Sequence, residues 1–135
     1  MPHSTEQTVL FPALVSKRCE VVFDEPDVTS DGGGLLVKAV DEKLGLTERL
    51  AACLVDPREP GKIRHSLRDM LRQRIFGICC GYGDTNDVAR IGGDPMHKLL
   101  LDRDPELGED LASQPTLSRF ENRRRRVDLY RMGEA

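Results

Sequence analysis

Apolar residues recur at helical spacing along the middle of the chain, and the longest such run lies between Ile63 and Cys80. Its members stand at offsets of 0, 3, 4, 8, 11 and 12, namely Leu67, Met70, Leu71, Ile75, Ile78 and Cys79. Offsets of three and four place side chains on one face of an α-helix. The pattern therefore predicts a central core helix over about residues 63–80.

Shorter runs of the same period predict further helices on both sides. One begins at Asp31 and three glycines, ends at Gly45 and carries an apolar stripe at Leu36, Val37, Val40 and Leu44. Others carry Leu50 and Leu54, then Val88 and Ile91, then Met96 to Leu100. Residues 19–24 favour β structure, and residues 28–30 can pair with them. We predict a mainly α fold, a small helical domain with a short amino-terminal β ribbon after a weakly ordered lead over residues 1–18.

The segment from Ser113 to Arg126 combines a helix start with a dense run of arginines. Ser113 can cap the helix, Pro115 fits its first turn, and Leu117 and Phe120 share one face. The outward positions hold groups that hydrogen-bond phosphates or base edges, followed by more arginines: Thr116, Ser118, Arg119, Asn122, Arg123 and Arg124. This pattern favours a helix that touches nucleic acid. The alternative is an ordinary amphipathic helix with a solvated basic end.

A helix-turn-helix is a candidate arrangement for this segment. Residues 109–112 would form a short first helix, Ser113 and Gln114 the turn, and residues 115–124 the second helix. A second basic feature lies on the predicted central helix, where Arg64, Arg68 and Arg72 are spaced by four and form one slanting row. Such a row suits phosphates along a DNA strand. The alternative is a solvated face held by Asp69.

Composition and charge distribution exclude some classes of protein and some kinds of site. The net charge of −3 argues against a generally basic, histone-like binder, yet residues 102–110 hold five acids and one Arg while residues 119–126 hold five Arg and one Glu. Segregated charge can give a mildly acidic protein a positive face. The four cysteines show no CxxC spacing, and the three histidines are too scattered for a zinc set. We expect reduced thiols, a cytoplasmic location, no metal site and no membrane span.

Five motifs in order resemble one family. They are Thr29–Leu36, Val40–Leu46, Ile63–Arg74, Gly81–Asp87 and Ser113–Asn122. Over about residues 19–135 the chain resembles the amino-terminal region of bacterial insertion-sequence transposases with a DDE catalytic domain. The resemblance implies DNA transposition by an RNase-H-like core that holds two divalent ions, Mg²⁺, on three acids. Those acids follow the Arg-rich helix in family members, so no catalytic residue is assigned here and this fragment is expected to be inactive alone.

The resemblance implies a domain over residues 19–126 that binds double-stranded DNA at transposon ends and helps to assemble the transposase. Residues 127–135 would begin a helix, truncated here, that leads to the catalytic domain. Two other interpretations stay open. The chain could be a structural or dimerisation module that self-associates without direct DNA contact, or a free-standing helix-turn-helix regulator.

Overall fold

The computed structural model describes residues 29–135 together with Leu14. In this part of the chain, seven α-helices follow one another and no strand is present. They are α1 (Gly34–Leu44), α2 (Leu46–Ala52), α3 (Leu67–Cys79), α4 (Val88–Ile91), α5 (Pro95–Leu100), α6 (Gln114–Asn122) and α7 (Arg126–Glu134). Short 3₁₀ turns at Pro60–Lys62 and Thr85–Asp87 connect some of them. The mainly helical prediction is confirmed, whereas most of the predicted ribbon, residues 19–28, lies outside the described residues.

Helix α3 lies at the centre, with an apolar cluster on each side. One cluster joins its Phe76 to α1 and α5 through Leu35, Met96 and Leu100. The other joins Leu67, Met70 and Leu71 of α3 to Leu117 and Phe120 of α6. Ile75 of α3 packs against both clusters. The central core helix is therefore confirmed, and it holds α6 in place.

Three details of α3 differ from the periodicity. It begins at Leu67 rather than Ile63 because the Ser66 hydroxyl accepts a hydrogen bond from the Asp69 N–H at 3.0 Å and caps the helix. Near the carboxyl end of α3, Phe76 is the residue that faces the core. Ile78 is consequently 53% exposed, and Cys79 is also exposed.

Helix α1 buries a face that is rotated from the predicted one, and of the predicted stripe only Val37 packs against the core. Leu35 and Lys38 are fully buried, whereas Leu36, Val40 and Leu44 are each more than half exposed. The cause is a polar contact in the interior, since the Lys38 ammonium pairs with the Asp102 carboxylate and donates to the Leu99 carbonyl at 3.3 Å. The predicted stop is confirmed, because Gly45 adopts φ +64° and its N–H donates to the Asp41 carbonyl.

Candidate nucleic-acid interface

Helix α6 is oriented by its two apolar side chains. The chain enters it in an extended conformation at Ser113, and Pro115 occupies the first turn, where its missing N–H costs nothing. Leu117 is fully buried and Phe120 is 6% exposed. The predicted inward face of this helix is therefore confirmed, and the polar positions are left on its outer side.

The segment before α6 is not a helix, and the predicted helix-turn-helix is corrected in this respect. Residues 109–113 have no helical turn. Their backbone groups bind elsewhere, because the Leu111 N–H donates to the Gly92 carbonyl at 2.9 Å. The buried Gln73 amide also clamps Ala112, donating to its carbonyl at 2.9 Å and accepting from its N–H at 3.1 Å. Residues 109–113 thus form a strap without helical turns that leads into α6 and is fixed directly to α3.

Part of the outer side of α6 forms a basic pocket with the loop before α3. Its lining includes Thr116, Arg119, Arg123 and Arg124 from the α6 segment and Arg58 from the loop. The Arg119 Nε donates to the Pro115 carbonyl at 3.0 Å, and the Arg124 Nε donates to the Phe120 carbonyl at 3.0 Å. The Arg124 guanidinium also lies over the Phe120 ring, 5.1 Å from its centroid. These contacts orient both guanidinium groups through one nitrogen each.

One carboxylate lies in the same pocket, and Arg58 neutralises it. The Asp56 oxygens accept from Arg58 Nε at 2.8 Å and Nη2 at 2.6 Å. This bidentate pair lowers the pKa of Asp56, and the more distant charge of Arg124 acts in the same direction. Among the described residues, Arg119, Arg123 and Arg124 form no ion pair. The pocket therefore carries uncompensated positive charge.

Ser118 and Asn122 lie on a different strip of α6 from the pocket-lining residues. The Asn122 amide donates to the Ser118 hydroxyl at 3.3 Å. A separation of three residues rotates a side chain by roughly 60° around the helix axis, so Arg119 and Asn122 occupy neighbouring strips. Asn122 is exposed and Ser118 is half-buried. The structure thus places the predicted α6 residues in two groups, an arginine pocket and a polar pair.

The predicted row of arginines is broken, and Arg72 is the residue that must be corrected. Arg72 is 3% exposed, binds the Asp102 carboxylate at 3.2 Å and donates to the Leu100 carbonyl at 3.1 Å. It cannot reach a phosphate from this position. Arg68 remains exposed and pairs with Glu48 at 2.7 Å. Arg64 precedes the helix and pairs with Glu109 at 3.5 Å, so it lies beside the strap rather than in a row.

Sequence reasoning does not identify two residues that shape this site, the pocket-lining Arg58 and the buried Gln73. Arg58 lies outside every helical pattern, and its two-residue spacing from Asp56 is the signal that could have indicated their ion pair. Gln73 is not identified because helical periodicity gives no weight to a single polar residue beside the apolar face. A glutamine flanked by core residues is the signal that could have identified it, since buried amides require partners.

Comparison with known proteins identifies the family. The family model described as Transposase DDE domain group 1 matches residues 11–135. The chain therefore belongs to this transposase family, and the family's role is transposition. No match was found among curated proteins or among solved structures. Among the described helices, none is both long and apolar enough to cross a membrane.

Proposed function

We propose that this chain is the DNA-binding and assembly region of an insertion-sequence transposase of bacterial type and that it contacts double-stranded DNA at transposon ends through α6. The observation that carries the proposal is the arginine pocket. Arg119, Arg123 and Arg124 line one pocket. The only carboxylate among the described residues of its lining, Asp56, is already paired with Arg58. Positive charge without local compensation is the feature that phosphate binding requires.

Phosphate contacts would position α6 on the duplex. The side chain of Ser113 does not cap the helix backbone, since its hydroxyl instead lies 3.0 Å from that of Thr116. A helix amino terminus without a side-chain cap favours an anion. Arg119 follows one turn later, and Arg123 and Arg124 extend the charge to the end of the helix. A phosphate backbone running along this side of α6 would meet donors over the whole helix length.

The polar pair Ser118 and Asn122 is suited to reading base edges. Asn can bind adenine through two hydrogen bonds, and Arg can bind guanine in the same manner. Asn122 is exposed near the carboxyl end of α6, and its contact with Ser118 is weak enough to exchange for a base. In this proposal Arg119 either reads a guanine or anchors a phosphate, whereas Arg123 and Arg124 bind only phosphates.

Arg64 and Arg68 serve as auxiliary phosphate contacts in the proposal. Both are half or more exposed, and their partners Glu109 and Glu48 are exposed as well. Exposed ion pairs contribute about 0–1 kcal/mol, so exchange of a carboxylate for a phosphate costs little. Arg64 lies beside the strap that leads into α6, and it can therefore contact the same duplex. Arg72 takes no part.

Strand cleavage does not follow from the acids of the described region. Several of them hold the fold, since Asp84, Asp94 and Asp128 accept from backbone N–H groups at helix starts and Asp102 pairs with Lys38 and Arg72. Among the described residues, no three carboxylates lie within ligand distance of one another. These residues do not fit the pair of Mg²⁺ ions that DDE chemistry uses. In this proposal the chain binds DNA and does not cut it. It acts in the cytoplasm, where its described free cysteines stay reduced.

Selection from a random duplex library tests whether α6 reads sequence. Wild-type protein is expected to enrich a defined site, and Asn122→Ala should relax the preference at one base pair by about 1–3 kcal/mol. Thr85→Ala, which changes a residue on another element, is the control. Enrichment of identical sites by Asn122→Ala and wild type would exclude Asn122 as a reader.

The exposed apolar stripe of α1 supports a second candidate function, self-association. Leu36, Val40 and Leu44 are spaced by four and each is more than half exposed. Such a stripe is typical of helix–helix contacts. Sedimentation equilibrium should then show a dimer that Val40→Glu dissociates. A monomer at all concentrations would exclude this candidate without affecting the DNA proposal.

A further inference from the structure

Three side chains from separate elements converge at the end of the molecule away from the arginine pocket. They are Asp31, which precedes α1, Cys80, which follows α3, and His97, in α5. One ligand atom of each, the carboxylate oxygen, the thiol sulfur and a ring nitrogen, lies within 4.8 Å of the other two. The sequence does not indicate this group, because its members are far apart in the chain. The scattered histidines and the absence of CxxC spacing predict no metal site.

The chemistry of these three atoms matches the preference of zinc. Zinc binds thiolate sulfur at about 2.3 Å and imidazole nitrogen or carboxylate oxygen at about 2.0–2.2 Å. Tetrahedral geometry then separates the ligand atoms by roughly 3.3–3.7 Å. The Asp31 Oδ2 and His97 Nε2 are 2.8 Å apart, so a small opening of this contact admits the ion. A carboxylate with a thiolate also balances the charge of a divalent cation.

Neighbouring groups hold the ligands in position. The Asp94 carboxylate caps α5 and accepts from the His97 N–H at 3.2 Å, which fixes the start of the helix that carries the imidazole. The Tyr82 and His97 rings also meet edge to face at 5.7 Å. Partners of this kind orient ligands in metal sites. His97 itself is 1% exposed, so its imidazole has little freedom to turn away.

We propose that Asp31, Cys80 and His97 bind one zinc ion, with a fourth position left for water. The ion clips the start of α1 to the end of α3 and to α5. It joins three elements that are otherwise held at this end by the Leu35, Phe76 and Leu100 cluster, so its binding stabilises the fold. Sulfur and nitrogen donors favour zinc over magnesium at this site, because Mg²⁺ binds mainly to oxygen ligands.

Cobalt substitution tests the site on the full chain, purified with chelator and kept reduced. Titration with Co²⁺ is expected to give a thiolate-to-cobalt charge-transfer band that saturates at one ion per chain, with the visible bands of four-coordinate cobalt. Zinc should displace the cobalt and raise the Tm by on the order of 10 °C at a hundredfold excess over its Kd. Absence of the charge-transfer band in the folded wild-type protein would overturn the proposal.

Adjacent cysteines supply a matched pair of variants. Cys80→Ser should abolish the charge-transfer band and the zinc-dependent rise in Tm, whereas Cys79→Ser, at an exposed position, should keep both. Far-ultraviolet circular dichroism reports whether each variant is folded. Asp31→Asn provides a second ligand variant and should weaken cobalt binding by at least tenfold. Retention of the band by folded Cys80→Ser, or its loss in Cys79→Ser, would contradict the assigned ligand set.

Discussion

Asp102 holds two buried cations, and its replacement by Asn measures how much of the fold depends on them. Its carboxylate pairs with the Lys38 ammonium, which is fully buried, and with the Arg72 guanidinium, which is 3% exposed. Asp102 itself has φ +61°, a backbone conformation that Asn tolerates as well as Asp does. The substitution therefore removes the charge without straining the turn.

The expected loss follows from the burial of the two partners. Removing one member of a buried ion pair costs about 3–5 kcal/mol because the other charge is left uncompensated. The Asp102 side chain is 57% exposed, so water already screens part of the attraction. Two cations lose their partner, but the Asn oxygen can still accept from one of them. We expect the free energy of unfolding to fall by about 2–3 kcal/mol.

Urea denaturation of Asp102→Asn and wild type checks this value. The midpoint should fall by roughly 0.7–3 M at an m-value of about 1–3 kcal/mol/M. Glu42→Gln, an exposed carboxylate on α1, is the control and should change stability by less than about 0.5 kcal/mol. An equally small change in Asp102→Asn would refute the argument that this carboxylate stabilises Lys38 and Arg72 in the interior.

The same pair predicts a dependence on pH. Burial alone raises the pKa of Asp102, but hydrogen bonds and charge from Lys38 and Arg72 outweigh it, so the folded pKa lies below the ordinary value of 3.8. The stabilisation is therefore fully present above pH 3.8 and is lost as the pH falls through the lower folded pKa. The stability difference between wild type and Asp102→Asn should shrink over that acidic range.

Three further predictions concern other parts of the molecule. Gln73→Met should lower the free energy of unfolding by about 2–4 kcal/mol, because the N–H and carbonyl of Ala112 lose their buried partner; an unaffected urea midpoint would contradict the clamp. Burial, helped by the charges of Arg103 and Arg64, lowers the pKa of His65 below 6.5, so stability should be complete above pH 6.5 and decline as the pH falls below it. His65→Asn should flatten that decline in thermal melts at several pH values, and an unchanged slope would exclude His65 as its source. The purified chain should not nick duplex DNA with Mg²⁺ or Mn²⁺, and nicking that one of its own Asp→Asn variants abolishes would disprove this.

Local patterns predicted those parts of the structure that local forces determine. Leu117 and Phe120 point inward as their spacing indicates, and Gly45 ends α1 because a left-handed position favours glycine. No distant contact is needed for any of these features.

Parts that depend on distant contacts were not predictable from spacing. Lys38 and Arg72 turn inward because Asp102 meets them across 64 and 30 residues of chain. A lysine or an arginine in a helical pattern is normally assigned to the surface. With Lys38 placed there, the predicted apolar stripe of α1 is rotated from the observed one. With Arg72 placed there, the sequence predicts an exposed row of arginines. Spacing predicts a helix at residues 109–112, whereas the buried Gln73 amide, 39 residues away in the sequence, holds Ala112 in a strap without helical turns. The arginine pocket likewise depends on Arg58, which lies in a loop far from α6 in the sequence, so that no helical period connects the two.

The salt dependence of DNA binding by an arginine variant tests the central claim most directly. Arg119, Arg123 and Arg124 are replaced together by Gln, and binding to a duplex is measured by fluorescence anisotropy over a range of salt concentrations. We expect the slope of log K against log salt to fall by roughly 0.9 for each lost phosphate contact. A triple variant at Lys43, Arg49 and Arg131, exposed cations outside the pocket, carries the same charge change and should keep the wild-type slope. Equal slopes for the folded pocket variant and wild type would contradict the claim that α6 holds DNA.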